Sequence, residues 1–109
     1  MSLRTRFFTA LYITTLLSAS ADDVDEARLT LTSQGFQPPI LQLSGRHKTR
    51  LHLINQTATA AEFESSDLSR EVIVPGGHEV ILYLPPLPPG RYRYFNDFHS
   101  NSSGEIRIP

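Results

Sequence analysis

Sulfur is almost absent from this chain, which has no cysteine and a single methionine, Met1. No disulfide can therefore form, although small exported domains commonly depend on them. The same shortage argues against a Cu(I) carrier, because delivery of soft metals normally uses thiolate or thioether ligands. The chain also lacks a long apolar run, since Phe7–Leu17 falls short of the about 20 residues that a transmembrane helix needs.

The first residues have the composition of a secretory signal. Arg4 and Arg6 precede the apolar run, and residues 19–21 have the small-x-small form of a signal-peptidase site. This order of features predicts a signal peptide over residues 1–21, and an exported protein without stable membrane insertion after cleavage. The alternative interpretation is an anchor that stays uncleaved.

The rest of the chain, residues 22–109, is long enough for one domain with one core. Loss of Arg4 and Arg6 takes the formal net charge from -1 to -3, and no basic patch remains. A nucleic-acid partner is therefore not expected. The nucleophile elbow, the phosphate-binding glycine loop, HExxH and CxxC are all missing. Any activity would have to be supplied by a metal ion.

Apolar and polar residues alternate with a period of two through most of the domain, which is typical of half-buried β-strands. The alternation is clearest at residues 29–31, 51–54, 80–84, 92–94 and 106–108. Turn-forming residues separate these runs at 38–39, 44–45, 75–77 and 85–90. The sequence therefore predicts an all-β Greek-key β-sandwich of seven to eight strands. One helical turn is allowed at residues 65–70.

Tyr92 has the sequence setting of a tyrosine corner. Leu87, Gly90 and Tyr92 follow one another with the spacing of that motif, at the end of a proline-rich connector. In such a corner the tyrosine hydroxyl bonds backward to the connector backbone and fixes the crossover between the two sheets. The alternative is a tyrosine that is simply buried, and both interpretations favour a sandwich.

Two pairs of chemistry-bearing residues each lie two positions apart. Glu62 and Glu64 flank Phe63, so both carboxylates leave one face of a strand while Phe63 enters the core. Asp97 and His99 follow the strand at 92–95. Imidazole with carboxylates suits iron, manganese, zinc or copper(II) better than copper(I). The alternatives are a solvated polar face for the glutamates and an exposed loop histidine for His99.

Other titratable residues have no ligand spacing with a second histidine. His52 shares no face with Leu51 or Leu53 and is predicted to face solvent. His78 follows a glycine turn and is predicted to be exposed.

Several segments resemble the cupredoxin-like family. More narrowly, the chain resembles the periplasmic cupredoxin-like proteins of bacterial iron-uptake systems, which are stand-alone ferrous-iron transport components or N-terminal domains of EfeO-type proteins. The resemblance extends from Phe36 to Ile108 and rests on the segments 36–38, 55–71, 87–92 and 97–99. It implies a periplasmic location.

The resemblance also implies a metal site that differs from that of the blue-copper electron carriers. Glu62 takes the place of their first histidine ligand, Asn96 that of the cysteine, and His99 that of the second histidine. No methionine stands before Gly104. A blue-copper centre needs the thiolate, so this chain is not expected to be a blue electron carrier.

In place of a blue-copper centre, the resemblance implies an oxygen-rich site for an iron ion, a copper(II) ion or both. Glu62, Asp97 and His99 are the expected ligands, with Glu64 and Asp67 as further ligands or an entry site. The implied role is to assist ferrous-iron oxidation or delivery, with at most a ferroxidase-like activity. Periplasmic or inner-membrane iron-transport proteins are the expected partners.

Two other functions stay open on the sequence alone. One is a metal-free interaction module that keeps the scaffold and docks a transporter through an acidic face. The other is a copper chaperone or a subunit of a redox enzyme, against which the lack of sulfur ligands argues.

Overall fold

A computed structural model describes residues 23–99 and 102–109, so the predicted signal peptide lies outside the described residues. The described residues form nine strands: β1 Val24–Thr32, β2 Gly35–Gln37, β3 Ile40–Gln42, β4 Lys48–Asn55, β5 Ala61–Ser65, β6 Arg70–Val74, β7 Glu79–Leu84, β8 Gly90–Asn96 and β9 Ser103–Ile108. In this part of the chain there is no helix of the length and apolarity that a membrane span requires.

The strands form two sheets that pack around one core. Sheet A has the order β2-β1-β4-β7, and sheet B has the order β3-β9-β8-β5-β6. The pairs β1–β4 and β3–β9 are parallel, and the other pairs are antiparallel. This architecture confirms the predicted all-β sandwich.

The strand count exceeds the predicted seven or eight because one short strand escaped the alternation argument. Gly35–Gln37 has only three residues and buries only Phe36, so no periodicity is visible in it. Pro38 and Pro39 separate it from Ile40–Gln42. Proline has no backbone N–H to give to a sheet, and the chain passes at this point from sheet A to sheet B.

The core consists of the inward-facing residues of both sheets, as the period of two predicted. On β4 the buried positions are Thr49, Leu51, Leu53 and Asn55. Phe63 and Tyr94 stack with ring centroids 5.0 Å apart, and Phe36 meets Tyr94 edge-on at 5.1 Å. A β-carbon on Gly104 would lie 2.7 Å from the Tyr94 hydroxyl, so only glycine lets β9 pass beneath this ring.

Two local features predicted from the sequence lie at the proline-rich connector and at residues 65–70. The Tyr92 hydroxyl donates to the Pro88 carbonyl oxygen at 2.6 Å, which confirms the tyrosine corner. Residues 66–69 form a turn and no helix. The Leu68 N–H donates to Ser65 Oγ at 3.1 Å, so the serine closes the turn as a cap would.

Candidate metal centre

Three carboxylates converge on the outer face of sheet B, and the pairing of β5 with β8 explains why. Glu62 and Glu64 point outward from β5, whereas Phe63 between them is 1% exposed. Asp97 directly follows β8, and its N–H donates to the Glu62 carbonyl oxygen at 2.9 Å. One oxygen from each of Glu62, Glu64 and Asp97 lies within 4.8 Å of the other two. We call these three residues the acidic triad.

The acidic triad carries unfavourable charge. Partial burial raises the pKa of Glu62, and the charges of Glu71, Asp97 and Glu64 raise it further. Partial burial also raises the pKa of Glu64, with further contributions from Asp97 and Glu71. Glu71 lies directly opposite Glu64 in the β5–β6 register, and like charges in that position destabilise a sheet. A cation bound among these oxygens would relieve the repulsion.

Asn96 fixes the backbone on which the acidic triad stands. Its side chain is 1% exposed, and its Oδ1 accepts the N–H of Glu62 at 3.0 Å and that of Phe98 at 3.1 Å. One amide oxygen therefore ties β5 to the residues that follow β8. The resemblance to cupredoxins placed Asn96 at the cysteine position, and here its oxygen holds backbone groups in order.

The other two predicted site residues lie outside the acidic triad. His99 is exposed and borders a largely polar cleft of about 420 Å³, whose other lining residues include Gln34, Thr57 and Asn96. The Asp67 carboxylate accepts the backbone N–H of Arg93 at 2.8 Å and so fastens the 66–69 turn to β8. That His99 and Asp67 bind a metal stays a prediction.

The donor set decides which cations suit the acidic triad. Carboxylate oxygens suit hard or borderline ions, whereas a blue-copper centre needs a thiolate that a chain without cysteine does not have. Hard divalent cations therefore fit these three carboxylates, and copper(I) does not.

A second charged cluster lies on the outer face of sheet A and was not found by sequence reasoning. His52 Nε2 lies 2.9 Å from Glu26 Oε1, and His52 Nδ1 contacts Glu79 Oε2. The hydrogen bonds that His52 makes to the carboxylates of Glu79 and Glu26 raise its pKa. The imidazole is 19% exposed and lies on the outer face of β4, away from Leu51 and Leu53 as predicted. The three residues come from three strands, and no spacing along the chain reveals them.

Fold and site together define a β-sandwich protein of the cupredoxin class without the sulfur ligands of a blue-copper centre. Residues 6–108 match the cupredoxin-like domain family, and the chain belongs to that family. An uncharacterized protein of Rickettsia prowazekii is 38% identical over 82 residues, which are 75% of this chain and 66% of that protein. The match thus spans just under two thirds of the relative's length.

Solved structures share the fold at low sequence identity. The metal-binding domain of a Cu(I)-exporting P-type ATPase of Streptococcus pneumoniae, with Cu(I), is 13% identical at a TM-score of 0.67, covering 84% of this chain and 91% of that one. A purple cupredoxin from Nitrosopumilus maritimus is 14% identical at a TM-score of 0.59, covering 76% of this chain and 99% of that one.

Proposed function

We propose that this protein is a periplasmic metal-binding cupredoxin-like protein that binds iron or copper(II) and assists the oxidation of ferrous iron or its delivery to a membrane permease. The convergence of Glu62, Glu64 and Asp97 within 4.8 Å carries the proposal. The copper named for the Streptococcus pneumoniae domain supports a metal-related role for this fold. The periplasmic location rests on the signal-like residues 1–21.

The residues of the acidic triad have distinct parts in this function. Glu62 and Glu64 leave a strand that is paired on both sides, so their positions are rigid. Asp97 lies at the end of β8 and is exposed, so it can meet an arriving ion first. Ferrous iron held there as substrate would give up an electron to an external acceptor more readily, because carboxylates suit the harder Fe(III) ion.

Metal titration of the purified protein tests the proposal. Calorimetry with Fe(II) under anaerobic conditions, Cu(II) and Mn(II) should show binding tighter than millimolar for at least one ion. Glu62→Gln and Asp97→Asn should each weaken that binding by about tenfold or more, equivalent to roughly 1.4 kcal/mol. Glu105→Gln is the matched control, since Glu105 lies on β9 of the same sheet and is paired with Arg107.

The same titration assigns His99. Loss of affinity in His99→Ala as large as in Glu62→Gln would make the imidazole a ligand. Heat curves without submillimolar binding of any of the three ions would contradict a metal-binding function.

A second candidate function is a metal-free module that docks a transporter. Phe98 favours it, because this ring is 47% exposed next to Asp97 and would give an acidic surface an apolar anchor. The triple change of Glu62, Asp97 and His99 to alanine discriminates between the functions. Loss of transporter binding by a protein that contains no metal when isolated would favour docking.

A further inference from the structure

The strand β7 is an open edge of sheet A. It pairs with β4 alone, and on its other side it forms no backbone hydrogen bond with any residue that the structure describes. An edge of this kind offers a row of N–H and C=O groups to another strand.

The sequence of β7 carries one charged residue, Glu79, at its start and otherwise lacks the features that usually protect an edge. Its six residues, Glu79-Val-Ile-Leu-Tyr-Leu84, contain no lysine, proline or glycine. Ile81 and Tyr83 are 41% and 53% exposed. The other edges differ: β2 and β3 have three residues each, and β6 begins with Arg70 and Glu71. Charged residues and short strands discourage pairing between edges.

We propose that β7 pairs antiparallel with the β7 of a second copy of this chain, so that the two sheets A become one continuous sheet. Directly opposed residues of an antiparallel pair point to the same face. A twofold axis at Ile81 satisfies this condition, because it sets Ile81 against Ile81 and Glu79 against Tyr83 on the outer face. Val80 then faces Leu82 on the inner face.

Charge complementarity supports this register. The Arg50 guanidinium lies 5.8 Å from the centre of the Tyr83 ring on the same chain. Pairing about Ile81 sets Glu79 of each copy directly opposite Tyr83 of the other, with Arg50 of that copy on the next strand, where its long side chain can reach toward the carboxylate. One carboxylate oxygen of Glu79 contacts His52, and the second has no hydrogen-bond partner among the described residues. Because β7 and the acidic triad belong to different sheets, this inference does not depend on the proposed function.

Sedimentation of the purified protein over a range of concentrations tests the pairing. The native protein should form a dimer, and Ile81→Lys should weaken the association by about tenfold or more, because two like charges then meet at the axis. Ile73→Lys is the matched control: Ile73 is 56% exposed on the outer face of β6, an edge strand of sheet B, and its change should leave the dimer intact. A protein that is monomeric at every concentration, or a dimer unaffected by Ile81→Lys, would overturn the proposal.

A single engineered cysteine gives an independent readout, because the native chain has none. Residues directly opposite in an antiparallel pair have β-carbons about 4.5–5.5 Å apart, close to the separation that a disulfide bridges. Ile81→Cys should therefore oxidise to a disulfide-linked dimer much faster than Ile73→Cys. Equal rates for the two variants would show that β7 does not pair with itself.

Discussion

At the scale of single residues, the buried amide of Asn96 holds two segments of backbone together. Its Oδ1 accepts two backbone N–H groups while its side chain is 1% exposed. Asn55 has a comparable part at another junction, where its Nδ2 donates to the carbonyl oxygens of Thr59 and Val74. A buried amide side chain can form hydrogen bonds with backbone groups that have no partner strand. It thereby orders irregular segments of the backbone.

Replacement of Asn96 by alanine should therefore destabilise the protein. Two partly buried N–H groups would lose their acceptor, and the cost for a fully buried group, about 1–3 kcal/mol, is the upper limit for each. Chemical denaturation should show a lower free energy of unfolding. Ser66→Ala, at an exposed position, is the control and should change little. If Asn96→Ala unfolded at the same denaturant concentration as the native protein, the two hydrogen bonds would not matter for stability.

At the scale of elements, His52 joins three neighbouring strands of sheet A. It stands on β4 and contacts Glu26 of β1 and Glu79 of β7. The charged neighbours on this face also include Arg28, opposite His52 on β1, and Arg50, which pairs with Glu26. Protonated imidazole can donate to both carboxylates, whereas neutral imidazole can donate to one. The contact between the strands therefore depends on pH.

The sign of this dependence follows from the raised pKa of His52 in the folded protein. The stabilising effect of His52 is complete below the pKa of a histidine in the unfolded chain, about 6.5. The effect is lost as pH rises through the pKa of His52 in the folded protein. Melting temperatures of the native protein and His52→Gln should differ most at mildly acidic pH and converge at alkaline pH. His78→Gln is the control, because His78 contacts a backbone carbonyl oxygen. A difference that grew toward alkaline pH would contradict the assignment.

The sequence predicted those elements that are determined by residues close together in the chain. The period of two identified the strands and their buried faces, and the spacing of Leu87, Gly90 and Tyr92 identified the corner. The short strand around Phe36 was missed because three residues show no period. The acidic triad was partly predictable, since Glu62 and Glu64 share a face by spacing alone. Asp97 was expected beside them through the family resemblance and not from spacing, because its place depends on the pairing of β5 with β8. Glu26 and Glu79 meet His52 only through sheet order.

At the scale of the whole molecule, the acidic triad lowers the stability of the fold and also offers a place where a cation can bind. The folded pKa of Glu62 is raised, so its favourable effect on stability is present below the unfolded value of about 4.3 and is lost as pH rises through the folded pKa. At neutral pH the ionised triad therefore opposes folding. A bound cation reverses this by mass action, which adds about 2.7 kcal/mol at a hundredfold excess over the dissociation constant.

The variant Glu62→Gln should consequently melt at a higher temperature than the native protein in chelator-treated buffer at neutral pH. Addition of Fe(II), Cu(II) or Mn(II) should raise the melting temperature of the native protein clearly more than that of Glu62→Gln, because the variant binds the ion more weakly. Glu105→Gln serves as the control of opposite sign, because the hydrogen bond from Arg107 lowers the pKa of Glu105 and its loss should lower the melting temperature. A less stable Glu62→Gln without metal would mean that the three carboxylates do not repel one another, and the physical reason for a cation at this face would disappear.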